Sequence, residues 1–175
     1  MSAFLARSAG VGVVLALGAA VVPAHAAEPV VVAVDGTLCD LTKTLAAGAA
    51  SVTCLIPPGG DPHSYRLKPS DRSQIAKSDL VLHIGFGLTP SAKKLKSPGT
   101  VVAVGEVALP SYGGSDPHVW HDPANSAAMV RVISSSLAPV LPASDRAALQ
   151  QRTVRAVAVL QALQSWEAKQ FSSLP

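Results

Sequence analysis

Aromatic side chains are scarce in this chain: of 175 residues, three are Phe, two Trp and two Tyr. Its basic residues are scattered, clustering only at Lys93-Lys94-x-Lys96, which reads as a solvated helix end. Without stacking platforms or a basic stripe, nucleic-acid binding has little support. The formal net charge of +3 selects no partner. A single apolar run, Ala9 to Val22, is shorter than the roughly 20 residues that span a bilayer, and no second run follows, so no stable membrane insertion is expected once it is removed. No HExxH run is present, and Glu28, Glu106 and Glu167 all lie away from the histidine motifs, so a general base for hydrolysis is hard to nominate. Cysteine is limited to Cys39 and Cys54.

The amino terminus decides the compartment. Arg7 precedes the apolar run, and Pro23 with the small-residue site Ala24-His25-Ala26 follows it, the pattern of a cleaved signal peptide over residues 1–26. No cysteine stands just after that site to accept a lipid, so a free periplasmic protein is expected. About 150 residues remain, enough for one domain with a core. Export carries Cys39 and Cys54 into an oxidising space, where an isolated pair often forms a disulfide. Closing a loop of about 15 residues would contribute roughly 3 kcal/mol; two small buried thiols are the alternative.

Periodicity gives the organisation. Val30 to Val34 is a continuous apolar run, the pattern of a strand buried on both faces. A helix from about Thr37 to Ala47 stops at Gly48, and Val52 to Ile56 is a second strand. Pro57-Pro58-Gly59-Gly60 breaks the chain, and a helix capped by Ser70 runs to near Ser78. Leu80 to Ile84 and Val101 to Val104 are strands three and four. This alternation predicts an α/β fold: a small, mostly parallel four-stranded sheet flanked by helices. Beyond Ala124 the pattern is helical, with an apolar stripe of Met129, Val132, Ile133 and Leu137. Ser144 is then expected to cap one long carboxyl-terminal helix whose stripe includes Leu149, Val154, Val157, Leu160, Leu163 and Trp166. The expected divisions are an amino-terminal metal-binding lobe over residues 27–142, the long helix over 143–172 and a tail over 173–175.

The chemistry concentrates in two tripeptides, Asp61-Pro62-His63 and Asp116-Pro117-His118. Proline fixes its own φ and biases the residue before it toward extended backbone, so each tripeptide presents its imidazole with little freedom. Neutral imidazole is a strong ligand for zinc and other late divalent metals, but two nitrogens leave a tetrahedral shell half filled. In parallel sheets ligands gather at the carboxyl ends of the strands. The two tripeptides follow strands two and four, so both can reach that edge. His121 extends the second motif and could add a third ligand, or be exposed or capping; His83 ends a strand and reads as a packed core histidine. Asp61 and Asp116 could orient the imidazoles or form turns, and Tyr65 and Trp120 read as packing groups.

Gly60 to Tyr65 with Lys68-Pro69-Ser70-Asp71, and Asp116 to Pro123, resemble the periplasmic binding proteins of zinc and manganese ABC importers. The resemblance covers residues 28 to 172, including Ser78-Asp79-Leu80-Val81 leading to Gly85-x-Gly87-Leu88. It implies His63 and His118 as metal ligands, a divalent transition metal as cargo with zinc favoured over manganese, and an importer permease and its ATPase as partners. It also implies two α/β lobes joined by a long helix, with two further ligands from the second lobe. The chain ends along that helix, so the expectation is the first lobe and helix only, the second lobe missing. A truncated or decayed product without transport activity, or a half paired with a separate lobe, is the alternative; a zinc hydrolase using His63, His118 and His121 is a weaker one. Exposed apolar positions on the helix suggest self-association. Thr89 departs from the acidic residue usual there, and a histidine-rich loop common in zinc-specific members is missing before Asp116.

Overall fold

Val30–Ala33 forms β1, an interior strand whose Val31, Val32 and Ala33 are fully buried, because a parallel sheet covered by helices gives a strand no face toward water. The computed structural model describes residues 27–172; the proposed signal peptide and the 173–175 tail lie outside the described residues. Ser51–Cys54 is β2, Leu80–His83 is β3 and Thr100–Ala103 is β4. The order is β2-β1-β3-β4, with every pair parallel and Val32 in register with Thr53 on one side and Val81 on the other. The strands therefore all deliver their carboxyl ends to one edge.

Helix α1 spans Gly36–Ala46, one residue earlier than the sequence pattern suggests, because Asp35 caps it: Leu38 N–H donates to Asp35 Oδ1 at 3.0 Å. Ala47 at φ 48° and Gly48 at φ 86° end it in left-handed backbone. Helix α2 covers Pro69–Ile75. Its entry is organised by Asp71, whose Oδ2 accepts from Lys68 N–H at 2.7 Å, rather than by Ser70. Helix α3, Val104–Ala108, is absent from the sequence expectation: Val104 there ends strand four, whereas it opens a short helix of five residues. Gly105 permits this, since a Cβ there would lie 2.7 Å from the Ile84 carbonyl oxygen.

Helices α4, Pro123–Leu137, and α5, Arg146–Phe171, close the core. On α4 the buried stripe is Met129, Val130, Ile133 and Leu137; Val132 is only half-buried. On α5 it is Leu149, Thr153 and Val157, while Val154 faces solvent. Thr153 tolerates burial because its hydroxyl lies 2.7 Å from Ser134 Oγ on α4 and 2.8 Å from the Leu149 carbonyl. Arg152 docks α5 on the end of α1, donating to the Leu45 and Ala46 carbonyls at 2.6 and 3.3 Å. Asp145, not Ser144, occupies the residue before α5, and it makes no side-chain cap bond. Cys39 on α1 and Cys54 at the end of β2 are bonded sulfur to sulfur, with Cα atoms 5.6 Å apart.

Asp35 is 4% exposed, and its Oδ2 has no partner. Burial pushes its pKa from 3.8 up to about 6, against the lowering effect of backbone N–H groups led by that of Leu38. A raised folded-state value means that stability is complete below the unfolded pKa and is lost as pH rises through about 6. Asp35→Asn keeps a capping oxygen and removes the charge. Relative to the parent, its stability in urea unfolding is expected to improve by about 3 kcal/mol between pH 3 and pH 8; a pH-independent difference would contradict the assignment.

Candidate metal centre

Strands β2 and β4 are the outer strands, so the segments that follow them must turn back over the carboxyl edge to meet. In the first motif Asp61 forms a local turn: its Oδ1 accepts from His63 N–H at 2.9 Å and its Oδ2 from Ser64 Oγ at 2.7 Å. These contacts, the Ser64 hydroxyl foremost, hold the Asp61 carboxyl below its ordinary pKa. Tyr65 anchors the same loop, its hydroxyl sharing one proton between the Leu55 carbonyl at 2.9 Å and Asp71 Oδ2 at 2.8 Å. Desolvation, then Asp71, pushes the Tyr65 pKa up to about 12, so the phenol stays a donor. Ser91 Oγ also donates to the Tyr65 carbonyl at 2.8 Å, tying the loop to the 3-10 turn Pro90–Lys94.

The second motif is held by the first turn of α4. Asp122 accepts from Ala124 N–H at 2.7 Å as helix cap, with Pro123 opening the helix. Ser126 Oγ donates to the Trp120 carbonyl at 2.7 Å, and Asn125 Nδ2 to that of Val119 at 3.1 Å. Tyr112 steadies the other side, donating to the Asp116 carbonyl at 2.9 Å. Ser64, Tyr112, Asn125 and Ser126 were not anticipated as supports of the site. Asn125 and Ser126 had a signal: Asp122-Pro123 announces a helix start, and polar side chains in a first turn commonly bond back to the loop before it.

His63 and His118 converge, with Nε2 atoms 3.0 Å apart and rings edge to face. Two imidazoles on one tetrahedral ion, at metal–nitrogen distances of about 2.0–2.1 Å, would hold those nitrogens roughly 3.3 Å apart. The pair therefore needs to open by only a few tenths of an ångström to accept a metal. Asp116 Oδ1 takes His118 N–H at 3.0 Å and also lies 2.6 Å from His118 Nδ1. Those contacts, the backbone one first, keep the Asp116 carboxyl below its ordinary pKa. A carboxylate only accepts, so Nδ1 of His118 carries the hydrogen, which in a neutral ring leaves the lone pair on Nε2. With both rings neutral, the hydrogen between them belongs to His63 Nε2, and a metal held by both nitrogens would take the place of that hydrogen. Asp61 makes no such ring contact, so the two tripeptides share backbone geometry but not ring orientation.

His121 sits in a 3-10 turn, Val119–His121, its ring centroid 6.3 Å from that of His118, in a groove shared with Gln164 and Glu167 of α5. Among the described residues no three His, Cys, Asp or Glu side chains gather as a metal-holding set. His83, at the end of β3, is half-buried and apart from the pair, and burial lowers its pKa. Trp120 packs edge to face on His118 with centroids 5.3 Å apart. His63 is exposed and His118 partly so, leaving the other sides of a bound ion open to further ligands.

An α/β lobe presenting two convergent imidazoles from one edge defines a surface suited to holding a transition metal. A family model described as ZnuA, zinc-uptake complex component A, periplasmic, matches residues 31–175, and the chain belongs to that family. It is 33% identical over 129 residues to the zinc-binding protein TroA of Treponema pallidum, covering 68% of this chain and 42% of TroA. It is 31% identical over 150 residues to the manganese-binding lipoprotein MntA of Halalkalibacterium halodurans, covering 78% of this chain and 47% of MntA. The solved structure of periplasmic zinc-binding TroA superposes with a TM-score of 0.76 at 28% identity, covering 85% of this chain and 57% of that one. The chain thus spans about half the length of the relatives it matches. The family is one of metal-binding uptake components, not of enzymes.

The two aspartates should differ in effect. Asp116→Asn removes the acceptor that sets the His118 tautomer and is expected to weaken zinc binding about 10- to 100-fold in competition with a chromophoric chelator. Asp61→Asn, which loosens only a turn, should cost less than tenfold. Equal losses would contradict the assigned roles.

Proposed function

We propose that this chain captures a divalent transition metal between His63 and His118 as the solute-binding part of a metal ABC importer, delivering it to a permease driven by an ATPase. The observation that supports this most is the 3.0 Å approach of two Nε2 atoms, one with its lone pair fixed by Asp116. Zinc is favoured over manganese because both donors are imidazole nitrogens, which suit zinc better than oxygen-preferring manganese. The named relatives include both a zinc-binding and a manganese-binding protein. Export by residues 1–26 to the periplasm fits the family's periplasmic description, and no helix among the described residues is long and apolar enough to cross a membrane.

Direct titration tests the ligands. Zinc is expected to bind saturably, with His63→Ala and His118→Ala each weakening it at least 100-fold and His121→Ala changing it less than threefold. Absence of saturable binding, or insensitivity to the first two substitutions, removes the proposal.

Self-association through α5 is a second element of the reading. Val159, Leu163 and Trp166 are 68, 41 and 56% exposed at i, i+4, i+7 spacing, the separation of a helix-pairing seam. Light scattering is expected to show a concentration-dependent dimer that Trp166→Glu disperses. A monomer at every concentration would eliminate it.

A further inference from the structure

The two faces of the sheet differ in charge. Helices α1, α4 and α5 cover one face, over Val31, Ala33, Leu80 and Leu82; α2 and the 3-10 turn Pro90–Lys94 cover the other, where Ile75 and Ala92 pack with Val32, Val34 and Val81. This second layer is stapled together by serines: Ser91 Oγ donates to the Tyr65 carbonyl at 2.8 Å and Ser97 Oγ to the Ile75 carbonyl at 3.1 Å. Basic residues that stand apart in sequence are thereby gathered on one side of the molecule. Arg66, Lys68, Arg72 and Lys77 surround α2, Lys93, Lys94 and Lys96 surround the turn, and all seven are exposed.

Little offsets these cations. The stretch 66–96 holds two acidic residues, Asp71 and Asp79. Asp71 is buried, with its Oδ2 taken by the Tyr65 hydroxyl and the Lys68 N–H, and Asp79 Oδ2 accepts from Val30 N–H at 2.8 Å. Elsewhere in residues 27–172 the balance reverses, with six basic residues against nine acidic ones. The ion pair found among the described residues is His118 with Asp116, so none of the seven cations is paired there. The modest charge of the whole chain therefore conceals one strongly basic layer.

We propose that this basic layer docks the chain on the headgroups of an anionic phospholipid bilayer, without insertion of side chains. What the layer lacks points to that partner. The large apolar side chains left exposed are Val107, Val154, Val159, Leu163, Trp166 and Phe171, none of them in this layer. Protein interfaces centre on apolar and aromatic anchors, and single-stranded nucleic acid needs stacking aromatics. A surface recognised by charge alone requires neither, and clusters of roughly four to eight Lys and Arg are drawn to anionic headgroups. Docking would hold the chain at the membrane that carries a permease; that consequence rests on the importer reading, whereas the lipid binding does not.

Vesicle co-sedimentation of the processed chain, residues 27–175, supplies the test. Vesicles of phosphatidylglycerol and phosphatidylcholine in equal parts are expected to bind it about tenfold or more tightly than pure phosphatidylcholine, with the affinity falling about tenfold between roughly 50 and 300 mM sodium chloride. Lys93→Gln, Lys94→Gln and Lys96→Gln together should weaken binding about tenfold. The same loss of charge on the opposite layer, Arg131→Gln, Arg146→Gln and Arg155→Gln together, should leave it within about twofold. No binding to the mixed vesicles, equal binding to pure phosphatidylcholine, equal losses from the two triple variants, or capture by soluble poly-glutamate in preference to vesicles would overturn the proposal. Zinc titration of each variant reports separately on the paired histidines, so zinc binding without vesicle binding would remove the docking face and leave the importer reading standing.

Discussion

One carboxylate oxygen, Asp116 Oδ1, carries the geometry on which the paired imidazoles depend. By accepting both the backbone N–H and the ring Nδ1–H of His118, it closes the turn and decides which nitrogen faces His63. The rest of the lobe serves to bring a second loop to that nitrogen. A fully parallel sheet delivers all four carboxyl ends to one edge, and side chains from α2, α4 and the Pro90–Lys94 turn then fix the two loops. Rigidity comes from hydrogen bonds at loop ends rather than from burial, which leaves His63 exposed and His118 partly so.

That accessibility bears on function. Under the proposed reading, two nitrogens 3.0 Å apart would fill half of a tetrahedral shell and leave the rest to other donors, unlike a closed structural site. Helix α5 extends the same logic. Its first turns are locked by Leu149, Thr153, Val157 and the Arg152 bonds to α1, while its last turns pass the groove beside His121 with Val159, Leu163 and Trp166 uncovered. The helix is held firmly at one end and offers an apolar surface at the other.

Much of this was legible in the amino-acid pattern. The run Val30 to Val34 announced a strand buried on both faces, and the proline in each Asp-Pro-His announced a stiff turn, since both signals are local and strong. The parallel sheet followed from alternation of elements. What escaped depended on contacts distant in sequence. Thr153 is buried in place of Val154 because Ser134 offers it a partner. Helix α3 was missed because the apolar run Val101 to Val104 reads as one strand, while the close approach of Ile84 and Phe86 at Gly105 is tertiary. The difference between Asp61 and Asp116 could not be read at all: identical tripeptides give identical expectations, and only the ring orientation separates them.

The central claim is that a metal joins His63 and His118 through their Nε2 atoms with His118 Nδ1 hydrogen-bonded to Asp116. Long-range ¹H–¹⁵N correlation spectra of the imidazoles, recorded as zinc is added, test it most directly. The account predicts that Nε2 of His63 and His118 shift together while His118 Nδ1 remains protonated and the rings of His83 and His121 stay unmoved. Coordination through His118 Nδ1, or a shift of His121 in step with His63, would contradict it.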